Sequence, residues 1–392
     1  MTGQLKQRVQ SIDIVRGIII IIMTLDHVRD FFHIHAMDED PLAFSKPLIF
    51  FTRWVTHYCA PTFVFLSGVS AWLAGQKRTK SQLSVFLLKR GFWLILAEII
   101  LMSFAFTFNP AYNLLILEVL WAIGVSMIIL GLLVWAPQKV IAIIGLVIFF
   151  GHNLVDYVQV PTTGWGVAVR ILLSGSGGFY PIGFERGALI GYAPIPWAGV
   201  LLLGYTAGQL YNQAVYTAEQ RRKILTIAGA SAIFIFVVLR MINKYGNPSP
   251  WAAQQNSLST ILSFINTAKY PPSLDFLCMT LGPILILLAF IERVQNKFTA
   301  FVTVYGKVPF FYFIVHFFLV HTLIVIAFFA SGYQAKDIVD KASPFFFRPQ
   351  HFGFNIWIVY AIWLFVVLVM FRPCKWFNRL KTTKGWWWLS YT

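Results

Sequence analysis

Apolar runs of about twenty residues recur along almost the whole of this 392-residue chain, and each is long enough for an α-helix to cross roughly 30 Å of hydrocarbon. No other feature limits the fold so strongly. Hydrocarbon offers no partner to an open backbone, so a chain of such runs is expected to bundle as helices. Composition agrees, with 58% of residues hydrophobic and 12% charged, where a soluble domain carries about a quarter charged. The expected fold is all-α: a polytopic transmembrane helix bundle forming a single domain over residues 1–392.

Ten spans are read at residues 12–33, 54–75, 84–107, 112–134, 138–155, 189–211, 224–242, 274–293, 303–330 and 354–371. The ninth is long enough to be tilted or broken, and a re-entrant helix within 156–188 would make eleven. No tandem repeat or low-complexity tract is evident. With ten spans both termini share a side. Nineteen of the 31 lysines and arginines then fall on that side and eleven on the other, with Arg16 inside the first span. Cytoplasmic loops collect Lys and Arg, so both termini are expected in the cytoplasm. The same bias accounts for a formal net charge of +16 with no nucleic-acid partner. The polar lead MTGQLKQRVQ precedes an apolar run with no cleavage site, which reads as a retained first helix. The C-terminal GWWWLSY reads as an aromatic anchor at headgroup level, and GSGG at 175–178 as a turn.

The stretch RGIIIIIMTLDHVRD, residues 16–30, is apolar at its centre yet carries five charged or ionisable side chains. Charge at bilayer depth is costly and is seldom kept without a partner or a task. Arg16 and His27 are eleven residues apart, about 20° past three full turns, so they share a face roughly 16 Å apart along the axis. Asp13, one turn before Arg16, can pair with it. Asp30, one turn after His27, can hydrogen-bond its ring and fix the tautomer. Asp26 projects about 100° away from His27 and is expected to meet another element. Taken singly, Arg16 could snorkel to the headgroups and residues 26–30 could be a helix end emerging into water. A cation and an imidazole on one face favour a site.

Other polar residues fall at depth. Arg53 and His57 lie one turn apart in TRWVTHYCAP, at the end where His27 also falls, and with Asp26 and Asp30 would form a polar chamber. The plainer reading is an interfacial cluster with Pro61 kinking the helix one turn in. Cys59 reads as a buried, inert thiol, and Cys59, Cys278 and Cys374 have neither CxxC nor metal spacing. Glu98 and Glu118 should face the interior, where pairing to an arginine and substrate binding both stay open. His316 is a second-tier site candidate and His321 a packing residue. No metal motif is present, and none of the phosphate-binding glycine loops.

These residues resemble a known family. SIDIVRGIIIIIMTLDHVRD is similar to the first core helix of the heparan-α-glucosaminide N-acetyltransferase-like membrane proteins, relatives of the acyltransferase-3 proteins. Arg, ten residues, then His is a hallmark of that wider group, and Arg16 and His27 match it. FFTRWVTHYCAPTFVFLSG, YAPIPWAGVLLLGYTAGQLY, YPPSLDFLCMTLGP, YGKVPFFYFIVH and the terminal WLSY extend the likeness along nearly the whole chain. The resemblance implies a multi-pass protein of the cytoplasmic (inner) membrane that moves an acyl group from cytoplasmic acyl-CoA, acetyl-CoA above all. The acceptor would be a sugar amine or hydroxyl of an envelope glycan, and a homo-oligomer is compatible. His27 would be the base, Asp26 or Asp30 its orienter and His57 part of the same chamber. Arg16, Lys89 and Arg90 would hold the CoA phosphates. In the animal enzymes an asparagine matches His27, and the catalytic histidine lies further on, a role open here to His33 or His35. Direct attack on the thioester is favoured over an acyl-histidine. The rival readings are a proton-coupled secondary transporter, for which no internal symmetry is found, and an assembly protein for an envelope polymer.

Overall fold

The computed structural model describes residues 9–36, 47–174, 178–340, 343–384, 386 and 389. Most of the GWWWLSY anchor and residues 175–177 of the GSGG turn lie outside that set. The helices are α1 Gln10–Phe32, α2 Pro47–Thr56, α3 Cys59–Gly75, α4 Lys80–Ala97, α5 Ser103–Thr107, α6 Val119–Leu133, α7 Gln138–Gly151 and α8 Trp165–Val169. They continue as α9 Pro194–Ala207, α10 Ala218–Ile242, α11 Ser257–Ile265, α12 Leu274–Ile291, α13 Lys297–Gly306, α14 Pro309–Ala330 and α15 Ile356–Thr383. A π-helical turn, Glu98–Met102, joins α4 to α5. Among the described residues six helical stretches are long and apolar enough to cross a membrane: Pro47–Gly75, Gln138–Tyr157, α10, α12, α14 and α15.

α1 sits at the centre. Four consecutive residues, Ile12 to Val15, are buried, so its whole circumference is covered at that level, and α3, α12, α13, α14 and α15 all pack on it. Its approach to α13 is backbone to backbone. A Cβ on Gly17 would stand 1.9 Å from the Val302 carbonyl oxygen, and one on Gly306 1.8 Å from that of Asp13. At the other end of α1, residues 343–355 close over it. The Phe354 amide donates to the Phe32 carbonyl at 2.7 Å and the Ile34 amide to the Phe354 carbonyl at 3.1 Å. Arg348, fully buried, donates to the carbonyls of His33 at 2.8 Å and Pro349 at 2.7 Å. Its burial pulls the guanidinium down to about 10.

Two expected spans are interrupted, each by a proline. Pro61 has no N–H for the His57 carbonyl one turn back, and the chain turns at His57–Tyr58 between α2 and α3, upstream of the expected kink. The ninth span is broken: α13 ends at Gly306, and Pro309 opens α14 at its first turn, with Val308 driven out of the helical region as residues before proline are. The fourth span is half a correction. Its first residues, Leu114–Leu117, form β1, which pairs in parallel with β3 (Arg186–Ile190), while β2 (Gly178–Gly183) pairs antiparallel to β3. The expected all-α bundle thus carries a small sheet, with α8 beside it in the 156–188 region.

Two helix pairs repeat one device. α4 lies along α6 and α10 along α12. α4 and α10 each open on a Thr-x-x-Gln capping box, at Thr79 and Thr217. Twelve residues on, Gly91 meets Gly124 and Gly229 meets Gly282, backbone to backbone.

Candidate active site

The Arg16 guanidinium turns in against α3. Its Nη2 donates to the Leu66 carbonyl at 3.0 Å and to the Ser70 hydroxyl, both on α3, and Asp13 lies 3.9 Å from its Nη1. That geometry turns it onto the wall of a cavity of about 260 Å³. Arg90 from α4, Lys307 from the α13–α14 break and Lys381 from α15 line the same cavity. The rest of the wall is largely apolar, with Phe63, Met127 and Phe313 among its residues, and no described lining residue is acidic. Lys89, expected beside Arg90, is exposed on α4 and is not part of the wall. Neighbours on a helix point about 100° apart, so only one of the two can face inward.

Further along α1, half-buried His27 meets α14. Its Nδ1 lies 2.7 Å from Nε2 of His316, and Nδ1 of His316 lies 2.9 Å from the Tyr312 carbonyl oxygen. Phe317 packs on the His27 ring at 4.1 Å between centroids, and Phe313 meets it edge-on at 6.1 Å. Phe313 therefore belongs both to the first cavity and to the shell of His27.

A second cavity, of about 240 Å³, opens on the other side. Asp26, Arg29, Asp30, His33, His35, Arg53, His57, Lys269 and Tyr270 line it, so the expected chamber of Asp26, Asp30 and His57 is assembled. Two of its three cations are paired with its two carboxylates. Arg29 Nη2 sits 2.8 Å from Asp26 and 2.7 Å from Asp30, and Lys269 Nζ is 3.6 Å from Asp26. Asp30 is thus taken up by Arg29, and the ring partner of His27 is His316, not the carboxylate one turn on. Burial opposes a charge on Lys269, but Tyr270 and Asp26 more than offset it and hold the ammonium above the ordinary lysine range. His57 is 4% exposed, and neither of its ring nitrogens has a hydrogen-bond partner among the described residues. A buried imidazole with both nitrogens unmet is uncommon in a finished structure and marks room for a ligand.

The remaining candidates have structural roles. Glu98 lines neither of the two cavities and pairs with no arginine among the described residues: its carboxylate accepts from the Glu118 and Trp121 amides at 3.0 and 3.2 Å, satisfying the open N-terminus of α6. The Cys59 thiol lies 3.6 Å from the Ile19 carbonyl, buried. His321 bridges the carbonyls of Ala105 and Phe346 and stacks on Phe108. Sequence reasoning passed over Lys269, Tyr270, Lys307 and Lys381 and ranked His316 low. A signal was present for four of them: Lys269 and Tyr270 stand at the head of YPPSLDFLCMTLGP, and YGKVPFFYFIVH holds both Lys307 and His316.

Residues 8–241, more than half of the chain, match the family model described as heparan-alpha-glucosaminide N-acetyltransferase, catalytic. A search of curated proteins finds no match.

Proposed function

Because the chain belongs to the heparan-alpha-glucosaminide N-acetyltransferase family of membrane acetyltransferases, we propose that it transfers an acetyl group from cytoplasmic acetyl-CoA to an amine or hydroxyl of a glycan acceptor, with His27 as general base. The observation that carries this is that α1 contributes to two cavities of different chemistry, Arg16 to one that is cationic and apolar and Asp26, Arg29 and Asp30 to one that is polar, with His27 next to Asp26 in the chain and against Phe313 of the first cavity. Arg16 and Arg90, with Lys307 and Lys381, suit the donor's phosphates. At about 260 Å³ the first cavity is at the small end of ligand sites, so it takes the slim thioester arm and leaves the nucleotide outside. Roughly 16 Å of helix rise separates Arg16 from His27, a span that an extended arm covers. The acceptor occupies the second cavity, hydrogen-bonded by His57 and oriented by Asp26, Asp30 and Lys269.

In the reaction the acceptor's proton passes to His27 as its oxygen or nitrogen bonds to the thioester carbonyl carbon. The carbon–sulfur bond then breaks, and the departing thiolate takes the proton back from the imidazolium. An imidazole, which can take up a proton at one nitrogen and return it, is suited to both transfers. The reading includes ten spans with both termini in the cytoplasm, in the cytoplasmic membrane. In support, Arg90, Lys307 and Lys381, which the positive-inside count assigns to the cytoplasmic side, meet at one cavity, while Arg29, Arg53 and Lys269, assigned to the other side, meet at the second.

The test is calorimetry of acetyl-CoA on detergent-solubilised protein. Wild type should bind, Arg16→Ala should bind about tenfold to a hundredfold more weakly, as expected for loss of a charge-assisted contact, and His27→Ala should bind like wild type. A folded wild type that binds no acyl-CoA sinks the enzyme reading and makes proton-coupled transport the leading one.

A further inference from the structure

The hydrogen bonds around His27 run in one direction, and that direction is fixed by a carbonyl. The Tyr312 backbone oxygen can only accept, so Nδ1 of His316, 2.9 Å away, carries the proton. In a neutral imidazole the other nitrogen is then an acceptor. Nε2 of His316 therefore receives a hydrogen bond from His27, 2.7 Å away, and Nδ1 of His27 must be its N–H. What remains on His27 is Nε2, unprotonated, with no hydrogen bond to a described residue. Reversing the chain would need a doubly protonated His316. That residue is fully buried, its described hydrogen bonds go to a backbone carbonyl and to a histidine, and a charge so placed is costly.

We propose that His316 is the positioning residue of the reaction: it holds His27 in the Nδ1–H tautomer, so that Nε2 is the atom that takes the acceptor's proton, and it receives the hydrogen bond of the imidazolium that forms. The sequence expectation gave that task to Asp30 or Asp26. The exchange has a physical consequence. A carboxylate would raise the basicity of His27 and leave a buried negative charge to be compensated, whereas a neutral imidazole fixes orientation without adding charge at bilayer depth. The proposal rests on the acyltransfer reading for its function, but the tautomer itself does not.

The test has two parts. Nitrogen-15 NMR of histidine-labelled protein in detergent near pH 8, with the His27 signals assigned through His27→Gln, should give His27 protonated at Nδ1 and bare at Nε2, and His316 the same. His316→Phe should abolish the preference at His27. Finding His27 protonated at Nε2 in the wild type overturns the proposal, whatever the substrate. Turnover is then followed as coenzyme A release from acetyl-CoA with glucosamine as acceptor. His316→Gln places an amide where Nε2 stood and should stay within about tenfold of wild type. His316→Asn, which reaches only the Tyr312 carbonyl, should lose about a hundredfold, a loss of the size general-base catalysis supplies. Equal rates for the two variants would mean that His316 only fills space, and the positioning role would fall. Acetyl-CoA calorimetry on both variants should match wild type. Absent donor binding in the wild type is failure of the enzyme reading, separate from either result.

Discussion

The two cavities that α1 helps to line are close in size, about 260 and 240 Å³, and opposite in construction. In the first, four cations stand along a mostly apolar wall with no described carboxylate on it. In the second, acids and bases are interleaved, Arg29 with Asp26 and Asp30, Lys269 with Asp26, and Arg53 stands on the same wall. Cations along an apolar wall suit a ligand with an anionic part and an apolar part. A wall of mixed acids, bases and imidazoles suits a compact ligand that exchanges hydrogen bonds. The difference teaches that the two cavities are asymmetric in their walls, while one helix, α1, supplies residues to both.

Four substitutions break or sharpen that contrast. His27→Ala removes the proposed base, and turnover should fall about a hundredfold to ten-thousandfold while donor binding by calorimetry is unchanged. Asp26→Asn should strike only the polar half. It leaves Lys269 and Arg29 short of a counter-charge, so turnover should fall about tenfold to a hundredfold with the donor's affinity kept; an equal loss of donor affinity would mean that the cavities are not separate. Arg90→Ala should act on the other half alone, raising the donor's dissociation constant about tenfold, a penalty that shrinks as added salt screens the contact. Lys89→Ala should change donor binding less than about twofold, since that ammonium is exposed and screened. A larger effect would return Lys89 to the phosphate site.

The helices were legible because a twenty-residue apolar run has few alternatives in hydrocarbon. The sheet was not, since Leu114–Leu117 is a short apolar run that periodicity cannot assign to helix or strand, and its partner Arg186–Ile190 lies about seventy positions away in the chain. The repeated helix pair escaped notice for a related reason: a capping box and one glycine are too little sequence to stand out from an apolar background. In the site, Arg16 and His27 could be joined by counting turns along one helix. His316 could not, because it reaches His27 across 289 positions and no local rule extends that far. The error at Asp30 was competition: a guanidinium next door makes a stronger bond to a carboxylate than an imidazole one turn back does. Lys269 looked like one more loop cation until the fold carried it to Asp26.

The tethering of α1 has a consequence for which donors the protein accepts. Gly17 and Gly306 lock one end of the helix against α13 with no room for a single carbon, and Phe354 and Arg348 fasten the other. A rod fixed at both ends keeps its markings at constant spacing, and here the markings are the guanidinium of Arg16 and the ring of His27, about 16 Å apart along the rise. The helix then works as a gauge. On the proposed reading, a thioester whose arm is shorter than the gauge would leave its carbonyl below the imidazole when its phosphates are seated, and a longer one would overshoot, so the donor would be selected by length before any contact with the acyl group is made.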